Sequence, residues 1–462
     1  MLMGGLECNE LSINQILENN ELFRFDAEYF NKKALRVIHN IVNSDFKYLG
    51  DVFDISKLAG FEFTKYFTED AMSSDDNYIA LTSKNIQTET LSLGEYITID
   101  KYTADNYLQR SKLKPNDVIL SYTGEYRRAL TLRYENYQLG PNVCRLTPIE
   151  ENTISIFYSA YLNSKTGQKI LDREKTLSAQ PTVAMQRIRK IPVPSLEEAE
   201  MKEFKDMAIE YYRLLDETDT LMQEANDLLE SEIHSNSPIS NQSINIRDYN
   251  HIVSTERIDS EYYLEKYNDI KKIIKSYKNG FDTFFNLCSL NDSNFIPEDD
   301  KEYDYIELAN VEKEGFISGC THELGADLPT RARRRVETND VILSSIEGSL
   351  MSIAIINEDY NQALCSTGFY VVKSDYFNPE TLCVLFKNGF IQKLLKQECS
   401  GTILTGVSKD NLANIILPKI ESGIQTKIKE KVSKANKLRK DAHALYNTFI
   451  DRIDEKYYNH IW

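Results

Sequence analysis

Few residues in this chain have the types and spacing that a catalytic or metal site requires. Cys320 and His322, in the run GCTHE, could each ligate a metal, but no second pair of ligands follows them. The acidic run IPEDDK (296–301) resembles a nuclease carboxylate cluster, yet it lacks a Glu-x-Lys partner. Acidic runs are common in loops, so we interpret both segments as surface and expect no bound metal.

Motifs for nucleotide or cofactor binding are also missing from the sequence. It contains no GxxxxGK(S/T) phosphate loop, which argues against an ATP-driven motor. No glycine-rich turn from strand to helix indicates a dinucleotide or S-adenosylmethionine pocket. The run GPN (140–142) is not the Asp/Asn-Pro-Pro-aromatic signature of amino-methyltransferases. The pattern favours a protein that recognises or connects other molecules, without catalytic residues or a cofactor of its own.

Four short phrases occur twice in the chain, in the same order. The pairs are RFDAEYF (24–30) with RIDSEYY (257–263), YIALTSKNI (78–86) with YIELANV (305–311), KPNDVILSYTGEY (114–126) with ETNDVILSSIEGS (337–349), and RIRKIPVP (187–194) with NLANIILP (411–418). The separation between partners varies only from 223 to 233 residues, as insertions in loops allow. A period this long is typical of duplicated domains rather than of a solenoid.

The polarity pattern predicts the same succession of elements in both halves. RFDAEYFNKKALRVIHNIV has helical periodicity, and Asp26 is the predicted N-cap of that helix. Short runs that read as strands follow, separated by Gly, Asn and Asp: NYIAL (77–81), DVILSY (117–122), DVILSS (340–345) and MSIAII (351–356). Each half is therefore predicted to begin with a helix and to continue into a mixed globule that contains a sheet.

A long helix is predicted at the end of each half, over about 35 residues and thus about 50 Å at 1.5 Å per residue. Apolar or small residues recur there in steps of three and four, which is a heptad seam. The seam residues are Phe204, Met207, Tyr211, Leu214, Thr218, Leu221, Ala225 and Leu228 in the first helix, and Ile424, Ile428, Val432, Ala435, Leu438, Ala442, Leu445, Phe449 and Ile453 in the second. Ser195 with Glu198, and Ser422 with Gln425, are predicted capping boxes.

Opposite charges favour the pairing of these two helices. Residues 196–233 hold 13 Asp/Glu and three Lys/Arg, a net charge of −10, whereas residues 421–456 hold six and nine, a net charge of +3. Pairing would also cover two apolar stripes that separate helices would leave bare. Because each helix leaves a different half, we predict an antiparallel pair and a pseudo-two-fold symmetric molecule. The polar run HSNSPISNQS (234–243) would link the halves.

The overall charge hides basic clusters in the globules. Taken alone, the formal net charge of −17 argues against binding nucleic acid. More than half of that charge, however, lies on the first long helix. Arginines cluster in YRR (126–128), with Arg133 nearby, and in RARRR (331–335), while Lys65 and Lys84 flank polar loops.

Composition predicts a globular protein of two or more domains. With 462 residues and 41% hydrophobic content, the chain can form more than one core. No run of 18 apolar residues exists and no secretory signal is apparent, so we expect no membrane span. The seven cysteines are scattered, odd in number and never spaced as CxxC, which favours reduced thiols and a cytoplasmic location.

With this organisation the chain resembles the specificity subunits of type I restriction-modification systems. The resemblance rests on the R-x-D-x-E-Y-aromatic phrase that opens each half and on the NDVILS…G loops. It rests also on the turn SGTILTGVS (400–408) and on ILPKIESGIQTKI, which is similar to that family's proline-then-glutamine start of a helix. It covers nearly the whole chain. The first half departs from the pattern at SAQPTVAMQ (178–186), which lacks Ser-Gly-Thr, so no shared role is assigned to that turn.

The resemblance implies an α+β fold of two tandem mixed α/β target-recognition domains joined by two long antiparallel coiled-coil helices. The implied domains are 1–195 and 237–418, and the spacer helices are 196–236 and 419–462. Each domain would read one half of a bipartite site in double-stranded DNA. Two methyltransferase subunits would dock on the helices, and restriction subunits with translocase and nuclease activity would join the complex. S-adenosylmethionine would belong to the methyltransferase partner.

Candidate DNA-binding residues follow from this resemblance and lie on the matching loops and basic clusters. Arginine suits phosphates and the O6 and N7 atoms of guanine, and hydroxyls can donate to phosphates or bases. The candidates are Lys65, Lys84, Ser121, Thr123, Arg127, Arg128, Arg331, Arg333, Arg334, Arg335, Ser344, Ser345 and Ser349. The competing interpretation of the arginine runs is a solvated surface.

The repeated opening phrase is interpreted as structural rather than as a direct DNA contact. The charge pairs Arg24–Asp26 and Arg257–Asp259 would fix the entry helix of each half through local charge and cap interactions. Its aromatic residues are expected to pack inward, namely Phe25, Tyr29, Phe30, Tyr262 and Tyr263.

The alternative function is that of a non-enzymatic protein–protein scaffold in a related defence complex, which the low overall positive charge favours. In either case the DNA target cannot be read from the sequence, because recognition loops carry no transferable code.

Overall fold

The computed structural model describes residues 10–17, 24–73, 76–92, 96–123, 127–176, 179–234, 237–241, 246, 248–255, 257–312, 314–401 and 405–459. These residues form two compact units. The first unit takes the described residues of 1–91, 96–213 and 441–462, and the second takes those of 92–95 and 214–440. Two long helices contribute to both units.

In its described residues, the first unit contains short helices around two small sheets. The helices are α1 Ile13–Leu17, α2 Lys32–Val42, α3 Leu49–Val52, α4 Gly60–Tyr66, α5 Glu69–Met72, α6 Lys101–Tyr107, α7 Ser155–Asn163, α8 Lys165–Glu174 and α9 Met185–Arg189, with single 3-10 turns at Ser83–Asn85 and Gln109–Ser111. The strands are β1 Phe46–Tyr48, β2 Phe53–Lys57, β3 Asn77–Leu81, β4 Ile97–Asp100, β5 Val118–Ser121, β6 Ala129–Thr131, β7 Tyr137–Leu139, β8 Val143–Pro148 and β9 Pro192–Pro194.

The sheets of the first unit are antiparallel apart from one pair of strands. One sheet has the order β2-β8-β5-β6 and the other has the order β4-β3-β7, in which β3 and β7 run parallel. Strand β5, with the sequence VILS, is buried along its whole length because it lies between two strands and beneath α7. A third pair, β1 with β9, joins the start of this globule to its end.

The second unit follows the same plan in its described residues. The first long helix is α10 Glu198–Ile233; then come α11 Tyr249–Thr255, α12 Glu265–Lys275, α13 Phe284–Leu287, α14 Pro379–Lys387, α15 Gly389–Gln397, α16 Lys409–Leu412 and the second long helix, α17 Ser422–Tyr457. The strands are β10 Phe281–Thr283, β11 Ser289–Leu290, β12 Glu302–Ile306, β13 Thr321–Leu324, β14 Ala332–Arg335, β15 Val341–Ser344, β16 Ile353–Ile355, β17 Leu364–Ser366, β18 Phe369–Lys373, β19 Cys399–Ser400, β20 Gly406–Val407 and β21 Ile416–Pro418. Single 3-10 turns lie at Glu261–Tyr263, Leu308–Asn310, Glu347–Ser349 and Glu358–Tyr360.

Strand order confirms that the two globules are copies of one fold. The sheet β11-β18-β15-β16 of the second unit corresponds to β2-β8-β5-β6, and β10 pairs with β21 as β1 pairs with β9. The other sheet, β13-β12-β17-β14, again contains one parallel pair, β12 with β17. It has one strand more than its counterpart: β14, where the first unit has only an isolated bridge between Lys112 and Gln138. The strands predicted from NYIAL, DVILSY, DVILSS and MSIAII are all present.

The two long helices are paired antiparallel, as predicted. In the first unit Glu203 and Glu200 of α10 form ion pairs with Arg452 and Lys456 of α17, both at 2.6 Å. In the second unit Glu217 pairs with Lys434 at 2.7 Å, and Glu224 pairs with Lys431. In both units, the partner's residue number in α17 decreases as the residue number in α10 increases. The two helices therefore run antiparallel. The α+β class and the antiparallel helices are confirmed, while the pseudo-two-fold symmetry stays a prediction.

The buried stripes of the helices contain most of the predicted seam residues, but six predicted residues lie outside them. The stripe of α10 consists of Phe204, Ala208, Tyr211, Leu214, Leu215, Thr218, Met222, Ala225, Leu229 and Ile233. Of the predicted seam, Met207, Leu221 and Leu228 lie only at its border. The stripe of α17 consists of Gln425, Ile428, Val432, Ala435, Arg439, Ala442, Tyr446, Phe449 and Ile453. Three predicted members of the second seam, Ile424, Leu438 and Leu445, are half-buried next to it. The predicted choice was wrong there because it preferred an aliphatic residue to the polar or aromatic neighbour that makes the contact.

The predicted helix starts were also wrong in three places. Helix α2 begins at Lys32 and is capped by Asn31, whose Oδ1 accepts from the N–H groups of Lys33 and Ala34 at 3.0 and 3.2 Å, so Asp26 is not its N-cap. Helix α10 begins three residues after Ser195.

Helix α17 begins at Ser422 itself, so this serine cannot be its cap. The Gln425 amide Nε2 instead donates to the carbonyls of Tyr376 and Ile420 at 3.2 and 3.0 Å. Its Oε1 accepts from the N–H of Asn378 at 3.1 Å. Gln425 therefore ties the start of the long helix to the turn before α14.

No helix in the described part of the chain is long and apolar enough to span a membrane. The cysteines of the described residues are free thiols: Cys144, Cys288, Cys320, Cys365, Cys383 and Cys399. Burial raises the pKa of Cys144 to about 12, so that thiol is inert at neutral pH.

Candidate nucleic-acid interface

The same pair of loops meets at the same place in both globules. In the first unit the N–H of Val183 donates to the carbonyl of Tyr122 at 2.9 Å, and Thr123 bridges to Thr182. In the second unit the N–H of Val407 donates to the carbonyl of Ser345 at 2.8 Å, and Ile346 bridges to Gly406. The loop after the VILS strand is therefore held against the turn that follows α8 or α15. Residues 124–126, 177–178 and 402–404 of these loops lie outside the described residues.

The two turns share a structural role although their sequences differ. The first-half turn lacks Ser-Gly-Thr, yet its backbone makes the same contact with the preceding loop as the second-half turn makes. In the second unit the approach is so close that a Cβ atom on Gly406 would lie 2.4 Å from the carbonyl oxygen of Ser345. That loop pair therefore needs glycine at position 406.

A Gly406→Ala substitution is expected to separate the two loops of the second unit and to lower its stability by about 1–3 kcal/mol, as overpacking does. Gly389→Ala is the matched control, because its added Cβ meets nothing within 4 Å. Thermal unfolding of the two variants beside the parent checks this. Equal unfolding midpoints for both variants would show that the loops tolerate the added methyl group.

Most of the candidate hydroxyl groups form hydrogen bonds within the protein and stabilise their own loops. The Ser121 Oγ accepts from the N–H of Arg128 at 2.7 Å, and the Ser344 Oγ accepts from the N–H of Ile346 at 3.1 Å. Both serines are fully buried, and Thr123 is 8% exposed. Their burial argues against a DNA contact for these three residues, whose role in DNA binding stays a prediction.

Two candidate serines lie nearer the surface of the second unit. Ser345 is half-buried and donates through Oγ to the carbonyl of Gly368 at 3.0 Å. Ser349 is half-buried and hydrogen-bonds the Ser344 Oγ at 2.9 Å. Each hydroxyl already has a partner in the protein, so a DNA contact would have to share it.

The basic candidates of the first unit differ in their exposure and in their partners. Arg127 is 3% exposed and forms an ion pair with Asp172, which argues against a DNA contact for this arginine. Arg128 is half-buried and bonds Gln87. Lys65 and Lys84 are exposed, and the Lys65 Nζ lies 4.8 Å from the centre of the Tyr66 ring.

The arginines of RARRR lie together on strand β14 and just before it. Arg331 donates to the Tyr305 hydroxyl at 3.2 Å and to Glu307 at 2.9 Å. The backbone carbonyl of Arg331 accepts from the N–H of Thr367. The carbonyl of the next residue, Gly368, accepts from the N–H of Ser345, so this segment adjoins the Ser345 loop. The backbone of the arginine-rich segment of the second unit therefore lies beside the segment that supports its loop pair.

The other arginines of this strand differ in how they are held. The Arg333 Nε donates to the carbonyl of Thr330 at 3.1 Å, and the Arg335 guanidinium lies 5.0 Å from the centre of the Phe295 ring. The Arg334 Nε and Nη1 are buried and have no hydrogen-bond partner among the described residues.

The opening phrase has the structural role that was predicted for it. Arg24 and Asp26 pair at 2.6 Å, and Arg24 also donates to the carbonyl of Lys175 at 2.9 Å. Arg257 repeats this with Asp259 at 2.6 Å and the carbonyl of Cys399 at 2.8 Å. The hydrogen bond from Arg257 lowers the pKa of Asp259. The phrase therefore fixes the start of each globule to the segment that leads into the turn after α8 or α15.

The aromatic residues of the phrase pack inward with one exception. Tyr29 and Tyr263 are buried, and Phe30 and Tyr262 are half-buried. Phe25 is 67% exposed, so the expectation for it was wrong. Phe25 lies between Arg24 and Asp26. The side chains of these two residues face the protein, so that of Phe25 points away from it.

Sequence reasoning missed the residues that receive this phrase and those that attach the globules to the long helices. Arg173 and Gln397 donate to the carbonyls of Tyr29 and Tyr262 at 3.0 and 2.9 Å. Each of these two residues directly precedes a glutamate, in REK (173–175) and in QEC (397–399). This match extends the repeat and could have indicated their shared role. Arg439 of α17 forms a buried ion pair with Glu312 at 2.8 Å, and a charged residue within an apolar stripe would have indicated it.

The metal candidates find other partners. The His322 Nδ1 and Nε2 lie 2.9 and 3.3 Å from carboxylate oxygens of Asp304 and Glu302, and these hydrogen bonds, the one with Asp304 first, raise the pKa of this exposed histidine. Lys301 of the acidic run pairs with Glu298 at 2.7 Å. The described residues contain no group of three or more His, Cys, Asp or Glu that could hold a metal ion.

Comparisons with known proteins find similarity only at the level of structure. No family model matches the chain, and no curated protein matches it. One similar solved structure is the type I restriction-modification S subunit from M. genitalium, at 12% identity and a TM-score of 0.35, covering 90% of this chain and 96% of that one. Another is the HsdS subunit from Thermoanaerobacter tengcongensis, at 11% identity and a TM-score of 0.27, covering 90% and 97%. The type IIG restriction endonuclease BpuSI is similar over 42% of this chain and 29% of its own, at 10% identity and a TM-score of 0.30.

Proposed function

We propose that this chain is the sequence-specific DNA-recognition subunit of a type I restriction-modification complex. The observation that carries the proposal is the duplication of one globule with one pair of loops, while the residues that line those loops differ. A bipartite DNA site needs two readers of the same build and different specificity. Each unit would read one half-site in double-stranded DNA.

The charge distribution supports DNA as the ligand in spite of the net charge. Strand β14 carries three arginines in succession and adjoins the loop pair, whereas the acidic residues are concentrated on α10. Arginine-rich strands provide phosphate contacts and guanine recognition. In the first unit Lys65, Lys84 and Arg128 are the remaining candidates.

The long helices are proposed as the docking platform for two methyltransferase subunits, with restriction subunits joining in the complete assembly. One side of α10 is engaged by α17 and the globules, while Ile209 on its outer side is 59% exposed. Domains 1–195 and 237–418 would recognise DNA, and helices 196–236 and 419–462 would connect them. The chain itself would be non-catalytic, and S-adenosylmethionine would bind the methyltransferase.

Binding to duplex DNA, measured with and without a co-expressed methyltransferase, tests this function. We expect binding that weakens steeply with salt, because each neutralised phosphate releases counterions. Salt-dependent binding of a duplex that contains the methylated motif, over a scrambled duplex, would support the proposal. Absence of binding in both preparations would favour the protein–protein scaffold, which the engagement of Arg127, Arg331 and Arg333 within the protein also suits.

A further inference from the structure

Arg334 differs from the three other arginines on and beside strand β14. Arg331 is held by Tyr305 and Glu307, Arg333 by the carbonyl of Thr330, and Arg335 by the Phe295 ring. The Arg334 Nε and Nη1 are enclosed by protein but have no acceptor among the described residues. Of these arginines, it is the one with enclosed N–H groups that lack an acceptor among the described residues.

The surroundings of Arg334 do not supply the missing acceptor. The carboxylate of Asp292 is close enough to interact electrostatically with it, but Asp292 forms its ion pair with Lys409. The Arg334 side chain is half-buried as a whole, and Nη2 is not among its enclosed atoms. One end of the guanidinium therefore faces outward while the other lacks a partner. Because arginine stays protonated, unpaired and enclosed N–H groups cost the free protein stability.

Arg334 also lies next to the loop pair. Tyr370 donates through its hydroxyl to the carbonyl of Val407, at 2.9 Å, and so supports the turn that pairs with the Ser345 loop. Burial raises the pKa of Tyr370, and the charge of Arg334 opposes that shift, which places the guanidinium near this tyrosine. The aligned position in the first unit is Ser111, a buried residue of a 3-10 turn. The feature therefore belongs to the second unit.

We propose that Arg334 binds an acceptor of the bound duplex, either a phosphate oxygen or the O6 and N7 edge of a guanine, in the half-site read by the second unit. This inference rests on the proposed function. Rotation about its terminal side-chain torsions turns Nη1 and Nη2 outward together as a fork, which suits both acceptors. The enclosed Nη1 gains its partner only then, so the side chain favours the DNA-bound state.

Affinity and stability of an Arg334→Met variant test the proposal, with Lys301→Met as the matched control. Lys301 carries the same charge, lies at the start of β12 in the same sheet and is 59% exposed. Full-length chains are titrated with duplexes that contain the methylated motif, between 50 and 200 mM salt, and their thermal midpoints are recorded. We expect Arg334→Met to lose about tenfold or more in affinity, with an unchanged or higher midpoint, and Lys301→Met to bind as the parent does.

The form of the loss identifies the acceptor. An equal loss on every duplex, with a salt slope reduced by about one, indicates a phosphate. A loss that disappears when one guanine of the motif is replaced indicates a base edge. Unchanged affinity, or a lower midpoint that shows a structural role for Arg334, would overturn the inference. If the parent chain binds no duplex either alone or with the co-expressed methyltransferase, the proposed function itself fails, which separates the two outcomes.

Discussion

Exchange of one globule is expected to change one half of the methylated motif and to leave the other half as it was. Residues 30–190 would be replaced by the corresponding segment of a homologue with a different motif, within the parent chain. Each unit has its own sheets and its own loop pair, and the contacts that close its loops come from within that unit. The exchange should therefore alter one reader only.

The reciprocal exchange, of residues 263–414, is the control and should change the opposite half. Both chimeras would be co-expressed with the methyltransferase partner and their methylated sites mapped by sequencing. A change in both halves after a single exchange would contradict independent readers.

Loss of either member of the Arg439–Glu312 ion pair is expected to destabilise the second unit by about 3–5 kcal/mol, because breaking a buried ion pair by removing one member costs about that much. The side chains are 9% and 4% exposed and lie 2.8 Å apart. Arg439→Met and Glu312→Gln should each lower the midpoint of urea unfolding. The double replacement Arg439→Met/Glu312→Leu should recover much of the loss, since an apolar pair needs no compensation.

The neighbouring pair Lys440–Asp359 provides the control. It is 2.8 Å long but 65% and 52% exposed, and exposed pairs contribute about 1 kcal/mol or less. Lys440→Met should therefore change the midpoint little. An equal effect of Arg439→Met and Lys440→Met would show that the buried pair does not anchor the globule to the helix.

The repeat and the strands could be predicted because they depend on local pattern. VILS is buried in both units, and an apolar run followed by a polar loop is sufficient to indicate such a strand. The pairing of the long helices followed from their opposite charges, and its antiparallel direction followed from each helix leaving a different half. The exact helix stripes did not, because Gln425, Arg439 and Tyr446 are buried by partners that are distant in sequence.

The candidate site was predicted less well. The sequence does not distinguish a hydroxyl or a guanidinium that faces DNA from one that bonds its own loop. Ser121 and Ser344 were placed on the correct loops, but they point into the backbone they support. Arg127 belongs to a basic cluster of the sequence, yet its side chain is buried and forms an ion pair with Asp172, which is distant in the sequence. Arg334 could not be distinguished from its neighbours until their partners were known.

Mapping of methylated bases in the organism that encodes this chain tests the central claim most directly. Genomic DNA from the parent, from a strain without the gene and from the complemented strain would be sequenced for modified bases. We predict a bipartite motif, two specified segments separated by a fixed gap, that is methylated in the parent, unmethylated without the gene and restored by complementation. Persistence of the same methylation without the gene, or a dependent motif that is one continuous segment, would contradict a reader of two half-sites.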